Sequence, residues 1–186
     1  IRNFAKVTVS ETVDNFTIEG FSVMNRPNRG TVAPYADGRF VNYLQTVPQG
    51  GSLYNVLTDG IGYHGTTPET DAFEYYKTTL TDSDFVSGEN AAIYLYESTY
   101  KGVVEETPTV IIKGTYEGVT AYYKADLVVQ SVVPGQEKYA DILRNFEYKL
   151  VITGVAGPGQ SLSDAMSGAA NNNLSGSVEI QDLTNI

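Results

Sequence analysis

An all-β fold, a β-sandwich of two packed sheets with long loops and at most short helical turns, is the class that the sequence predicts. Apolar and polar residues alternate along several short runs, which is the period of a half-buried strand. Turn-forming residues separate these runs, and no long run has the period of an amphipathic helix. About seven to nine strands are expected, and the 14 tyrosines suit half-exposed positions on pleated sheets.

The first elements are two strands joined by a tight turn. Residues 4–9 and 16–23 place apolar side chains at every second position, and the Asp14-Asn15 pair between them forms turns readily. Two prolines, a glycine and two arginines follow in residues 25–34, which we interpret as a connector. The several glycines of residues 35–75 indicate a long ordered loop.

The second half of the chain carries the remaining strands. Each is a short apolar run rich in β-branched or aromatic residues and bounded by turn formers. These runs span residues 91–97, 109–116, 120–129, 148–155 and 177–180. The second and third of them flank Glu117-Gly118 and therefore predict a hairpin. A serine cap followed by small residues predicts one or two helical turns over residues 161–167.

Composition and charge exclude several classes of function. The chain has no cysteine, which removes disulfides, thiolate metal sites and cysteine nucleophiles together. Its formal net charge is −10 with only 12 Lys and Arg residues, which argues against nucleic acid as a partner. The sequence has no apolar run of about 18 residues, so we expect no membrane insertion of this segment.

The glycine-rich segment at residues 154–159 follows a predicted strand and raises the question of a phosphate-binding loop. Its spacing is G-x-x-G-x-G, whereas the dinucleotide fingerprint is G-x-G-x-x-G, and no Lys-Ser/Thr pair follows the last glycine. Pro158 also removes one of the amide donors that such a loop needs. We therefore interpret the segment as a glycine-rich turn at the end of a strand.

The other candidates for chemistry are weak. His64 is the single histidine; it has no spaced partner for a metal, and no serine lies in a nucleophile-elbow motif. The acidic residues Asp82, Asp84 and Glu89 lack the spacing and the glycine of a calcium loop. We expect no catalytic, cofactor-binding or metal-binding residues, no cofactor and no enzymatic activity.

Four segments, taken in order along the chain, resemble the fimbrillins of Bacteroidales. Residues 2–7 (RNFAKV) resemble the R-x-x-A-K strand that opens a β-domain in that family, and residues 25–34 resemble its N-x-P-x-x-G-x-x-x-P connector. Residues 94–97 (YLYE) are similar to its Y-x-Y-E strand. Leu143-Arg144-Asn145 with Tyr148, followed by the glycine segment, resembles its L-R-N-x-x-Y strand and glycine turn.

The resemblance implies a structural or adhesive subunit of a pilus, or fimbria, on the bacterial cell surface. Fimbrillins are subunits of type V pili, exported as lipoproteins, trimmed by an arginine-directed protease and polymerised by donation of a strand into a neighbour's groove. The expected partners are other pilin subunits and a host protein or glycan receptor. The expected location is extracellular, with attachment to the outer membrane through the parent lipoprotein.

The resemblance also carries expectations about domain organisation. Most fimbrillins have two β-domains, so residues 1–186 are expected to form one sandwich domain, of the transthyretin-like, Greek-key type, within a larger protein. The chain departs from the family pattern in having no lipobox cysteine. Arg2 cannot be taken as the processing site, because the arginine of this motif belongs to the start of a strand.

The two terminal strands are the candidate surfaces for strand exchange. Ala5, Val7 and Val9 share one face of the first strand, and Val178 and Ile180 share one face of the last strand. A terminal strand can lie at a sheet edge or leave one pairing position open, and a pilus subunit uses such a position to pair with its neighbour.

Two alternatives remain open at the level of sequence. One is an extracellular glycan-binding or glycan-processing module, which requires an aromatic platform with convergent carboxylates or a metal. The other is a spacer domain that binds nothing. A subunit that assembles by strand donation differs from both in having a long apolar groove or an exposed sheet edge.

Overall fold

The computed structural model describes most of the two predicted sheets and their connections. The described residues are 4–27, 35–36, 39–40, 75–76, 79–96, 108–129, 138–139, 142–171 and 173–183. Their strands are β1 (Ala5–Glu11), β2 (Phe16–Met24), β3 (Arg26–Pro27), β4 (Tyr35–Ala36), β5 (Arg39–Phe40), β6 (Tyr75–Tyr76), β7 (Ile93–Leu95), β8 (Thr109–Tyr116), β9 (Val119–Asp126), β10 (Val128–Val129), β11 (Lys138–Tyr139), β12 (Phe146–Val155) and β13 (Leu174–Asp182). A six-residue helix, α1 (Leu162–Ser167), and a 3-10 turn at Asp82–Asp84 complete the set.

The larger sheet has four strands in the order β13-β12-β1-β7. Its central pair is β1 with β12, which run parallel from Lys6 opposite Glu147 to Glu11 opposite Ile152. β7 and β13 flank this pair and run antiparallel to their neighbours. The first strand of the chain therefore lies inside the sheet, whereas the last strand, β13, lies at its edge.

The smaller sheet has three antiparallel strands in the order β2-β8-β9. The β8–β9 hairpin turns at Glu117 and Gly118, as predicted, and both residues have positive φ (48° and 84°). At the opposite edge Val86 bridges to Phe21 through two backbone hydrogen bonds of 2.9 and 3.0 Å. The ladder between β2 and β8 shifts register between Ile18 and Gly20, which leaves one extra residue in β2.

The core lies between these two sheets, which confirms the predicted all-β, two-sheet sandwich. Alternate side chains of each strand point inward and the others point outward, because successive residues of a strand face opposite sides. The inward set from the longer strands is fully buried and includes Val7, Phe16, Val23, Val110, Ile112, Tyr123, Tyr148 and Ile152. A smaller cluster, formed by Met24, Leu80, Ile111 and Ala165, covers the outer face of the three-stranded sheet.

The glycine-rich segment forms the turn that the sequence predicts, and it carries the chain from one sheet to the other. β12 ends at Val155, and Gln160 then exchanges two backbone hydrogen bonds of 2.8 and 2.9 Å with Tyr122 of β9. Between these points the phenol of Tyr123 donates to the carbonyl oxygen of Gly157 at 3.1 Å. The segment is thus anchored in the core, with Gly159 packed against β9.

The predicted helical turns are present as α1. The side chain of Ser161 accepts a hydrogen bond of 3.2 Å from the backbone N–H of Asp164, which is the standard N-cap geometry. Ala165 is buried in the cluster on the outer face of the three-stranded sheet. The short helix therefore covers part of this face.

Several strand boundaries differ from those that alternation predicts. β13 runs from Leu174 to Asp182, well beyond the predicted residues 177–180, because β12 pairs with it along its whole length. Gly176 and a register shift near Ile152 interrupt the apolar alternation there. The alternation therefore predicts a shorter strand than the backbone pairing forms. β7 is shorter than predicted and spans only residues 93–95.

The long loop predicted for residues 35–75 lies largely outside the described residues, as does most of the connector at residues 25–34. The short pairs β3–β6 and β4–β5 belong to these regions. Among the helices in the described part of the chain, none has the length and apolar character needed to cross a membrane.

The packing of the glycine segment leads to a stability prediction. We expect Gly159→Ala to lower the free energy of unfolding by about 1–3 kcal/mol, the usual cost of inserting atoms into a close-packed site. A Cβ at this position would overlap the carbonyl oxygen of Tyr122 and lie 2.8 Å from Cε2 of Tyr123. Urea unfolding followed by circular dichroism measures the change.

Gly154→Ala in the same segment is the matched control. Its added Cβ would meet only Ser175, at an ordinary 3.6 Å, so we expect a change within about 0.5 kcal/mol. Equal effects of the two substitutions would show that the contact of Gly159 with β9 is unimportant.

Candidate functional site

The open edge of β13 is the feature of the described residues that fits a binding role best. In the sheet order of the described strands, β13 has β12 on one side and no strand on the other. The amide of Leu183 donates to the carbonyl oxygen of Asn145 at 2.7 Å, so the backbone of residue 183 points toward the β12 side. Backbone groups alternate in direction along a strand. The N–H and C=O groups of Val178 and Ile180 therefore point away from β12, into the open edge.

The side chains of the same two residues lie on the inner face of the sheet. Val178 pairs with Leu150 and Ile180 pairs with Tyr148, and both of these β12 residues are buried in the core. Val178 and Ile180 are half-buried and pack against that core from its rim. Each of them therefore offers a free backbone pairing position together with an apolar surface.

A cleft of about 210 Å³, here called the β13 cleft, opens beside this edge. One wall is β12 and β13, and the other wall is the end of β9 with β10. Its lining combines apolar residues with a few polar ones: Lys124, Ala125, Asp126, Val128, Leu150, Ile152, Ala170, Asn171, Leu174, Gly176 and Val178. The edge of β9 is already paired at this point, since the backbone N–H of Asn171 donates to the carbonyl oxygen of Lys124 at 2.9 Å. Among the described strands, β13 thus contributes the unpaired edge of this cleft.

The candidate residues on β1 have a different environment. Ala5 and Val7 are fully buried, and β7 pairs with this part of β1, so neither residue lies at a sheet edge. The first strand of the chain is interior here because later strands pair on both its sides. Val9 lies beyond the end of β7 and is half-buried.

A buried turn before β12 holds this edge in place. The amide of Leu143 donates to the phenol oxygen of Tyr148 at 2.8 Å, and both residues are buried. Asn145 takes a left-handed conformation (φ 63°); its amide donates to the carbonyl oxygen of Phe4 at 3.2 Å. Its own carbonyl accepts from Leu183. This turn therefore ties together the start of β1, the start of β12 and the end of β13.

A polar cluster on the outer face of the three-stranded sheet anchors the 3-10 turn. The phenol of Tyr122 donates to the carboxylate of Asp82, and Nζ of Lys113 lies 3.3 Å from the same oxygen. The hydrogen bond from Tyr122, and then Lys113, lower the pKa of Asp82, while Asp82 raises the pKa of Lys113. Burial is the main cause that raises the pKa of Tyr122. Asp82, Tyr122 and Lys113 bond to one another, so we interpret the cluster as structural.

The other residues considered from the sequence as sites of chemistry are His64 and the acidic residues near Asp82. His64 lies outside the described residues. Asp82 and Asp84 belong to the 3-10 turn, where Asp84 accepts the backbone amide of Thr81 at 2.8 Å. Within the part of the chain that the structure describes, no group of three His, Asp or Glu side chains is arranged to hold a metal ion.

Comparison with known proteins identifies relatives by fold alone. No protein family model matches the chain, and no curated protein matches it. Among solved structures, a putative cell adhesion protein from Parabacteroides distasonis ATCC 8503 matches 99% of this chain at 16% identity with a TM-score of 0.51. A second such protein from the same organism gives 13% identity over 96% of the chain with a TM-score of 0.46, and one from Bacteroides eggerthii DSM 20697 gives 15% over 96% with 0.39.

The first of these likenesses shows a shared fold. The chain spans 60% of the length of that Parabacteroides protein, and 51% and 55% of the other two. At 16% identity the match supports the sandwich architecture described above and leaves the function to be argued from the site.

The buried turn leads to a second stability prediction. Tyr148→Phe removes the acceptor of the buried Leu143 amide, and we expect it to lower the free energy of unfolding by about 1–3 kcal/mol. Tyr94→Phe is the control, because that tyrosine is 56% exposed. Urea unfolding of both variants tests this; a Tyr148→Phe protein as stable as the control would show that the hydrogen bond does not hold the turn.

The polar cluster leads to a prediction about titration. Because the pKa of Asp82 is lowered in the folded state, the contribution of its carboxylate to stability is present above the ordinary value of 3.8 and is lost as the pH falls through the folded value. In a ¹³C NMR titration we expect the Asp82 carboxyl to titrate below 3.8. Tyr122→Phe should move its midpoint upward. A midpoint at or above 3.8 in the unsubstituted protein would contradict the geometry of the cluster.

Proposed function

We propose that this chain is a structural or adhesive module of a bacterial cell-surface appendage, a pilus, whose subunits join by β-strand donation at the edge of β13. The observation that carries the proposal is that both the backbone groups and the half-buried side chains of Val178 and Ile180 are accessible to a partner. Their backbone groups point into the open edge, the side chain of Val178 lines the β13 cleft, and the side chain of Ile180 packs against the core beside it. An extended segment of another subunit can form hydrogen bonds with these backbone groups and bury these side chains.

Backbone hydrogen bonds would provide the affinity of such pairing, and the alternation of apolar side chains would set the register of the donor strand. Each backbone hydrogen bond to the edge contributes about 0.5–1.5 kcal/mol net, and alternate side chains of the donor face the same side as Val178 and Ile180. A one-residue slip would turn the donor's apolar side chains toward water. The edge therefore selects a donor whose apolar residues alternate.

An unused edge of this length is a hazard, because it invites aggregation. The outer-face residue Glu179 is exposed and charged, and Asp182 at the end of the strand is also exposed and charged; both moderate that tendency on the isolated chain. The inward-facing Val178 and Ile180 have no such protection. This combination suits an edge that is used by a specific partner.

The fold relationship supports a surface role. The Parabacteroides protein that shares this fold is described as a putative cell adhesion protein, and the fimbrillin-like segments of the sequence have the same implication. On this proposal the chain is extracellular, belongs to a larger protein held at the outer membrane as a lipoprotein, has no enzymatic activity and needs no cofactor. Its partners are other pilin subunits and a host protein or glycan.

Glycan binding is the second candidate, favoured by one observation. Phe4 stacks on Tyr96 with ring centroids 4.9 Å apart, and Tyr94 is exposed on the same outward face of the sheet. The adjacent Lys6–Glu147 ion pair, at 3.5 Å, supplies polar groups. Among the described residues the platform has the Glu147 carboxylate beside it, whereas glycan cleavage needs two convergent carboxylates, so it fits adhesion better than catalysis.

The proposal predicts stabilisation by an alternating peptide. A nine-residue peptide in which valine alternates with threonine should bind the edge of β13 and raise the melting temperature. At a hundred times its Kd, a ligand of the folded state adds about 2.7 kcal/mol, which corresponds to roughly 5–10 °C for a chain of this size. A peptide of equal composition with the alternation scrambled is the control, and differential scanning calorimetry is the measurement.

A variant of the protein makes the test specific to β13. Val178→Pro removes the outward N–H and leaves the bonds to β12 in place, since proline is tolerated at an edge when its nitrogen faces solvent. We expect a folded protein that the alternating peptide no longer stabilises. Equal stabilisation by both peptides, by neither, or of the Val178→Pro variant would overturn strand donation at this edge.

A further inference from the structure

A second open pairing position lies on the opposite side of the four-stranded sheet, beside β1. β7 pairs with β1 only from Ala5 to Val7, so within the described strands the later part of β1 has a ladder partner on its β12 side alone. The amide of Thr12 donates to the carbonyl oxygen of Ile152 at 2.9 Å, which directs that residue toward β12. By the alternation of a strand, Val9 and Glu11 direct their N–H and C=O groups the other way.

These backbone groups face a cleft of about 380 Å³, here called the β1 cleft. Its volume lies within the range of ligand-binding pockets. Apolar residues of β1, β2 and the segment before β7 contribute to its lining: Val9, Ile18, Phe21, Val86 and Ala91. Phe21 is buried, and the other four are half-buried against the core. The cleft thus combines an open backbone edge with an apolar floor.

The polar lining of the β1 cleft has one sign of charge. Glu11, Glu19 and Glu89 line it, and none of its described lining residues is lysine or arginine. Two of these carboxylates already accept hydrogen bonds: Glu11 from the backbone amide of Ile18 at 3.4 Å, and Glu19 from the hydroxyl of Thr115 on β8 at 3.0 Å. The net charge of the whole chain, −10, adds to the negative potential. A complementary occupant is therefore basic.

We propose that the β1 cleft docks an extended segment of a partner protein in which arginine or lysine lies next to apolar residues. The backbone of the segment pairs with Val9 and Glu11. The basic side chain lays its aliphatic stem on the apolar floor and its charged end against the carboxylates. This site is separate from the β13 edge and rests on its own observations.

The test uses a seven-residue peptide in which arginine alternates with valine, and a matched peptide with neutral citrulline in place of arginine. Binding is measured by calorimetry on the full 186-residue chain, and the contact is located by ¹⁵N NMR. We expect the arginine peptide to bind more tightly than the citrulline peptide, and more weakly as the salt concentration rises. The amide resonances of Val9 and Glu11 should shift while those of Val178 and Ile180 stay in place.

Two double variants of equal charge complete the design. Glu19→Gln with Glu89→Gln should weaken the arginine peptide about two- to fivefold for each carboxylate removed. Glu117→Gln with Glu179→Gln removes two exposed carboxylates outside the cleft and should change binding less than twofold. Absence of binding, equal affinity for the two peptides, equal effects of the two double variants, or shifts at β13 instead of β1 would each overturn the proposal. Only the last result, shifts at β13, would also concern the binding of the alternating valine–threonine peptide to β13. The other results leave that proposal unaffected.

Discussion

The parallel pairing of β1 with β12 is the constraint on which the rest of the structure depends. It joins residues about 140 positions apart in sequence and places the first strand inside the four-stranded sheet. β13 can then pair only on the far side of β12, which makes it an edge strand. The same pairing fixes which backbone groups face outward, so both open positions described above, at Val178 and Ile180 and at Val9 and Glu11, follow from it.

The buried turn before β12 makes this pairing rigid at one end. Leu143, Arg144 and Asn145 are almost fully buried, and the phenol of Tyr148 accepts the Leu143 amide within the core. Through Asn145 the turn also bonds the residue before β1 and the residue after β13. The two ends of the described chain are thus held at the two sides of one strand, so that the open edge has a defined position.

Alternation of apolar residues predicts most of the strands, because one face of each is buried and the other is not. The hairpin at Glu117-Gly118, the Ser161 cap and the glycine turn are also predictable, since each depends on local backbone chemistry. Sheet position is not local, so the sequence does not show that, among the described strands, β13 with Val178 and Ile180 is at the edge while β1 with Ala5 and Val7 is inside the sheet. The role of Leu143 to Tyr148 is visible in the sequence only as a resemblance, because its contacts join distant segments.

Native-state hydrogen exchange of the isolated chain tests the central claim, the open edge of β13, most directly. If the edge is free, the amides of Val178 and Ile180 exchange rapidly, whereas those of Ser177, Glu179 and Gln181, which point toward β12, are protected. This alternation along one strand is the predicted result. Uniform protection of all five amides in the monomeric chain would contradict it, because it would mean that the edge already has a partner.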